Sequence, residues 1–237
     1  MKEIVVAGLL MAALATFSPE RVMQAQTPNS GGIKGHIRLK GKAPGNPVIR
    51  MGIDPMCAKL NAGKRPVQET VVASLDGSLA NVFVRLEGSF PASPVPTEPV
   101  SIDQQGCIYI PRVVGARVGQ TLQVRNSDAL LHNVHGHSTR ANVFNVAQPV
   151  AGIVTKFPLK QEEIMLRVGC DVHRWMNAFV GIVSHPYFAT SGAAGTYAIT
   201  GVPPGAYSIE TWHEQYGVLT QKVRVTAGST SVIDLAY

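Results

Sequence analysis

The stretch Glu163-Ile164-Met165-Leu166-Arg167-Val168-Gly169-Cys170-Asp171-Val172-His173-Arg174-Trp175-Met176 holds the transition on which the reading of this chain turns. Residues 163–168 read as a β-strand, Gly169 ends it, and Cys170, His173 and Met176 then follow at three-residue intervals. Taken singly, a cysteine at a strand end is a small buried hydrophobe and a methionine is core filler. Taken together, a thiolate, an imidazole and a thioether sit in one tight loop whose cysteine end is anchored by a strand, so all three can be aimed at one point. That is the layout of a metal site lacking a fourth ligand.

His132 supplies the fourth. It lies upstream in Asn126-Ser127-Asp128-Ala129-Leu130-Leu131-His132-Asn133-Val134-His135, just after a strand and a polar turn, and in a sandwich two such strand ends meet at one pole. Two imidazoles and a thiolate in a plane with a long axial methionine are a donor set for copper in electron transfer, because soft sulfur suits Cu(I), imidazole suits Cu(II), and a rigid compromise changes little when an electron arrives. Zinc recruits four strong Cys, His or carboxylate ligands, and a thioether is a poor fourth.

The rest of the chain fits a β protein. Apolar runs of four to eight residues are broken by Gly, Pro, Asn and Asp, with 23 Gly and 16 Pro in 237 residues, which predicts an all-β fold. Strands are expected at 33–39, 81–86, 100–103, 107–110, 121–125, 153–159, 163–168, 195–199, 206–211, 221–225 and 231–235. Residues 54–69 read as irregular, and the four prolines in 90–99 mark a long surface loop. Four stretches follow: a signal peptide (1–25), an N-terminal β segment (26–78) placed to pack with the C-terminal module, a central metal-binding domain (79–185) and a small C-terminal β module (186–237).

The signal-peptide reading rests on Lys2 ahead of a largely apolar run that stops at Ser18-Pro19-Glu20, with small residues near Ala25. The run is too short for a membrane span, and no later segment is long enough. A periplasmic or secreted location follows. Three cysteines in an oxidising compartment leave one over: with Cys170 on a metal, Cys57 and Cys107 form the candidate disulfide, the alternative being two separate buried thiols. The formal charge is +6, but the basic residues are scattered without interleaved aromatics. That excludes a nucleic-acid reading and points to solubility or an acidic partner.

Leu131-His132-Asn133-Val134-His135 with Cys170-x2-His173-x2-Met176 resembles the small blue copper proteins (cupredoxins), the short ligand loop being most similar to that of amicyanin. Val114-Gly115-Ala116-Arg117-Val118-Gly119-Gln120-Thr121-Leu122-Gln123-Val124 resembles the segment those proteins place before the first ligand histidine. The resemblance spans residues 100–185 and implies a Greek-key β-sandwich, one type 1 (blue) copper ion held by His132, Cys170, His173 and Met176, and one-electron exchange with a redox partner protein, with His173 on the electron path. In that family the asparagine after the first histidine ties its loop to a Ser or Thr after the cysteine. Asn133 matches and Asp171 departs. An acidic neighbour favours the more positive Cu(II), so Asp171→Thr is expected to raise the reduction potential; a redox titration showing a fall or no change refutes this.

Gly195-Thr196-Tyr197-Ala198-Ile199 and Val202-Pro203-Pro204-Gly205-Ala206-Tyr207 resemble the carboxypeptidase regulatory-like β-sandwich family, which implies a structural or protein-contact role. Seven histidines in all are too few for the extra clusters of a multicopper enzyme, so the expectation is a carrier. The alternatives are a copper delivery module without redox turnover and an extracytoplasmic structural β protein with an empty loop. His135 and His137 point to one side of a strand and are a possible second metal pair, against the plainer reading of polar loop residues. His185 and Trp212-His213-Glu214 read as structural residues at the domain junction, Trp175 as a shield or docking residue, and Arg174 as a contact for an acidic partner.

Overall fold

A computed structural model describes residues 29–237; the expected signal peptide (1–25) lies outside them. In chain order the elements are β1 (Gly31–Arg38), a 3-10 turn (Met51–Ile53), α1 (Pro55–Leu60), β2 (Phe83–Glu87), β3 (Val100–Gln105), β4 (Ile108–Ile110), β5 (Val113–Arg117), β6 (Thr121–Asn126), β7 (His132–His137), β8 (Phe144–Gln148), β9 (Val154–Pro158), β10 (Glu163–Gly169), β11 (Asn177–Val183), β12 (Phe188–Thr190), β13 (Thr196–Val202), β14 (Gly205–His213), β15 (Gly217–Val225), β16 (Thr230–Val232) and β17 (Leu235–Ala236). The described residues are all-β apart from one short helix and one 3-10 turn, as their turn-rich, short-period pattern dictates. Among the described residues no helix is long and apolar enough to cross a membrane.

The strands form two sandwiches. In the first, the sheet β5-β11-β10-β7-β8 faces the sheet β4-β3-β6-β9. Alternation along β6 sends Leu122 and Val124 inward, where they meet Leu166, Val168 and Val180 of the opposite sheet in one apolar core. Each such side chain, fully withdrawn from water, contributes roughly 1.5–3 kcal/mol before the entropy cost of ordering. The second sandwich sets β13-β1-β16, with β17 also paired to β1, against β12-β2-β14-β15. Ile33, Ile37, Leu86, Ile199, Ile209 and Val223 fill its core.

The second sandwich is assembled from both ends of the described chain. β1 pairs with β13 in antiparallel and with β16 and β17 in parallel. β2, placed by the sequence pattern in the 79–185 unit, pairs instead with β12 and β14. Between β1 and β2 the chain leaves the second sandwich and returns to it, the base of this arm being closed by the bridge Arg38↔Ser78. Its outer part buries Ile49, Met51 and Cys57 in the core of the first sandwich. Nor are residues 54–69 wholly irregular. Asp54 caps α1, its Oδ1 accepting the N–H groups of Met56 (2.8 Å) and Cys57 (3.1 Å), and Pro55 occupies the first helical position, where its missing N–H costs nothing.

The two sandwiches meet over a pair of glycines. Gly115 on β5 and Gly181 on β11 stand opposite each other, and a Cβ on either would strike the Phe188 or Phe83 ring at 2.4–2.5 Å. The dent they leave receives both rings, whose centroids lie 5.9 Å apart. Beside it Arg112 of the first sandwich makes a two-pronged pair with Glu214 of the second, at 2.7 and 2.8 Å. His213 stacks on Tyr216 close by.

Candidate metal centre

The site forms at one pole of the first sandwich, where β6 hands over to β7 and β10 to β11. Asn126, fully buried at the end of β6, shapes the first connection: its Oδ1 accepts the Asp128 N–H (2.9 Å) and its Nδ2 donates to the carbonyls of Leu130 (3.0 Å) and Gln148 (2.9 Å). The turn so held delivers His132 as the first residue of β7. The second connection is cinched by its own backbone. Met176 N–H donates to the His173 carbonyl (2.8 Å), Cys170 N–H to the Met176 carbonyl (3.3 Å), and His173 N–H to the Cys170 sulfur (3.4 Å). Asn133 joins the two: its N–H donates to Cys170 Sγ (3.3 Å) and its Oδ1 accepts the Asp171 backbone N–H (3.1 Å). The tether therefore survives the departure at position 171, because it uses main chain at that residue. Asp171's carboxylate is engaged elsewhere, by His135.

His132, Cys170 and His173 converge, their donor atoms all within 4.8 Å of one another. Cys170 is the free thiol; Cys57 and Cys107 form a disulfide. All three converging residues are buried, and Met176, at 1% exposure, is buried in the same core. Each imidazole is oriented from behind by a carboxylate that sequence reading did not single out. Nε2 of His132 donates to Asp128 Oδ2 (2.9 Å), and Nε2 of His173 to Asp54 Oδ2 (3.1 Å). A carboxylate only accepts, so Nε2 carries the hydrogen on both rings and both Nδ1 atoms turn inward. They lie 3.0 Å apart, and His173 Nδ1 is 3.8 Å from Cys170 Sγ.

Two ring nitrogens and a sulfur thus face one another across a buried space, an arrangement that favours positive charge between them. First-row ions bind imidazole at about 2.0–2.1 Å and thiolate at about 2.3 Å, lengths compatible with the 3.0 and 3.8 Å separations across the site. The donor set fits a single such ion. Electrostatics point the same way. Burial opposes ionisation of Cys170, but the two histidines and the N–H groups of His173 and Asn133 outweigh it and bring the thiol down to about 6. Burial likewise opposes charge on the rings, yet Asp128 and Cys170 hold His132 above the usual imidazole range, and Cys170 and Asp54 do the same for His173.

The disulfide frames this arrangement. Gly106 and Cys107 form the two-residue turn between β3 and β4, both at positive φ (65° and 59°), as a tight hairpin of this hand requires. In that conformation their N–H groups donate to Asp128 Oδ1 and Oδ2, each at 2.8 Å, so the turn fixes the carboxylate that fixes His132. Across the bridge, Cys57 lies in α1 with its sulfur 3.5 Å from His173 Nε2. Trp175 Nε1 donates to the Cys107 carbonyl (3.0 Å), and its ring lies 5.1 Å from that of His173. His173 is only 1% exposed: α1 covers the ring, and the half-exposed Asp54 separates it from solvent. One sequence signal for α1 was available, the Asp54-Pro55 pair, which opens a helix.

No protein-family model matches this chain, and no curated protein matches it. Among solved structures it is similar to a purple cupredoxin from Nitrosopumilus maritimus (19% identity over 35% of this chain and 98% of that one, TM-score 0.31). It is also similar to an amicyanin variant in the Cu(I) state (17% identity, 42% and 97%, TM-score 0.32), and to a copper-containing nitrite reductase from Thermus scotoductus (16% identity, 40% and 24%, TM-score 0.32).

Proposed function

We propose that this chain is an exported copper protein, a one-electron carrier and not an enzyme, holding one copper ion in a type 1 site through His132, Cys170, His173 and Met176. One observation carries the reading: two inward Nδ1 atoms, each locked by a carboxylate behind it, face a free thiol of lowered pKa inside a buried core. Copper held there would supply a one-electron couple between Cu(I) and Cu(II). The protein supplies a donor set between the preferences of the two states and a loop cinched by main-chain hydrogen bonds, so that rearrangement on electron transfer is small. The Cys57–Cys107 bridge suits a periplasmic or extracellular setting. Exposed Arg174 in the ligand loop suits docking to an acidic redox partner. The second sandwich, which we read as a carboxypeptidase regulatory-like module, is structural.

Protein loaded with Cu(II) is expected to show intense thiolate-to-copper absorption in the visible, which Cys170→Ser abolishes. A colourless protein overturns the reading. Reversible one-electron voltammetry then distinguishes a carrier from a delivery module, which instead surrenders its copper to an acceptor.

A further inference from the structure

Next to the buried site, on the outer face of β7, His135 and His137 project to the same side, as residues two apart on a strand must. Their rings stack with centroids 3.8 Å apart. Asp171, reaching over from the ligand loop, places Oδ1 and Oδ2 at 3.0 and 3.1 Å from His135 Nδ1, and the donor atoms of all three residues lie within 4.8 Å of one another. Neighbouring residues keep this cluster in place. Asn145 Nδ2 donates to Asp171 Oδ2 (3.2 Å). At Gly169 a Cβ would come within 2.9 Å of His137 Nε2, so the glycine leaves room for that ring. The His135 and Asp171 side chains are 28% and 52% exposed, and His137 is exposed as well: the cluster is open to ions from solution.

We infer that His135, His137 and Asp171 form a second, solvent-facing site for a divalent transition-metal ion, Cu(II) binding more tightly than Zn(II). Two imidazoles and one carboxylate, with open positions for water, are a hard-to-borderline donor set without sulfur. On such a set affinity rises along the first-row series to Cu(II). Two rings held in contact lose little further freedom on binding. Arg167, paired across the strands with His137 and bonded through Nε to Asn177 Oδ1 (2.9 Å), adds a nearby positive charge that limits affinity. This site does not depend on the proposed function: its donors are distinct from those of the Cys170 centre, although Asp171 follows Cys170 directly and the two sites are one peptide unit apart.

The test is a titration of untagged full-length protein with Cu(II), following stoichiometry by calorimetry and the ligand set by electron paramagnetic resonance. Expected are two ions per chain, the second giving a nitrogen- and oxygen-ligated signal without a visible thiolate band. His137→Gln and, separately, Asp171→Asn weaken that second ion at least tenfold while the Cys170-dependent band stays. In Cys170→Ser the band goes and the second ion remains, so failure of the buried site and failure of the surface site are distinguishable. Absence of a nitrogen- and oxygen-ligated ion, or one that neither variant weakens, overturns the inference; such an ion bound without any thiolate band overturns the buried site alone.

Discussion

Replacing both Cys57 and Cys107 with alanine tests how the metal pole is held together. The bridge joins positions 50 residues apart. Closing a loop of that length removes roughly 14 cal/mol/K from the unfolded chain, about 4 kcal/mol at 25 °C. Both residues are fully buried, and losing two sulfur atoms from a packed core adds about 1 kcal/mol. The double variant is therefore expected to lose about 4–5 kcal/mol, a large part of the stability of an ordinary domain. Metal-free protein would be unfolded in urea and followed both by backbone circular dichroism and by fluorescence of Trp175, whose indole is bonded to Cys107. Reduced wild type should come within about 1 kcal/mol of the double variant, because chain closure and not sulfur chemistry carries most of the effect. A loss below about 1 kcal/mol in the double variant would refute the reasoning: the arm would then be held by packing alone.

Gly181→Ala should cost about 1–3 kcal/mol, since its Cβ would lie 2.5 Å from the fully buried Phe83 ring, which has nowhere to retreat; matched urea melts check this. Asn126→Ala removes the partner of the Leu130, Gln148 and Val150 carbonyls and of the Asp128 N–H, and is expected to cost about 3 kcal/mol and to weaken copper binding by loosening the turn before His132, measured by competition with a chelator. His213, 1% exposed, has its pKa pushed by burial, and secondarily by Arg112, down to about 4, so between about pH 6.5 and 4 the unfolded chain binds the extra proton. Stability contributed by neutral His213 is thus full above about 6.5, falls by about 3 kcal/mol as pH drops through that window, and levels off below it; in His213→Asn, which keeps an acceptor for the Gln215 N–H, that part of the slope should vanish in melts run from pH 7 to 4.

Much of this was legible in the sequence, and what was not has physical causes. β14 and β15 were placed but run longer than expected, β15 starting at Gly217 and not at 221, whereas the edges of β6 and β10 followed from alternation to within one residue, because one face of each meets a core. β11 did not: Asn177-Ala178-Phe179-Val180-Gly181-Ile182-Val183 lies between β5 and β10 and is buried along most of its length, so the period-two signal disappears. β7 was hidden for the opposite reason. His132-Asn133-Val134-His135-Gly136-His137 has a composition that argues against a strand, with Val134 the one apolar side chain it sends into the core. That Cys170 and His173 come together was readable from spacing because they share one loop. Asp54 and Asp128, which orient the two rings, were not, as each acts through a fold-dependent contact; Asp54 comes from 119 residues away.

That distance shows why the second sandwich matters to the first. The arm that carries Asp54 and Cys57 belongs, at both of its ends, to the second sandwich: β1 precedes it, β2 follows it, and Arg38↔Ser78 closes its base. Its far end is fixed to the first sandwich by one covalent bridge and by Ile49, Met51 and Cys57 in the core. A free loop of such length would spend entropy to hold a carboxylate against His173. Clamped at base and tip, it holds Asp54 there at little further cost, and closes over a ring that the donor geometry alone would leave open. Movement between the sandwiches is opposed in turn by Phe83 and Phe188 in the glycine dent and by the Arg112–Glu214 pair. The second sandwich is therefore the anchor of the cover over the buried donors His132, Cys170 and His173.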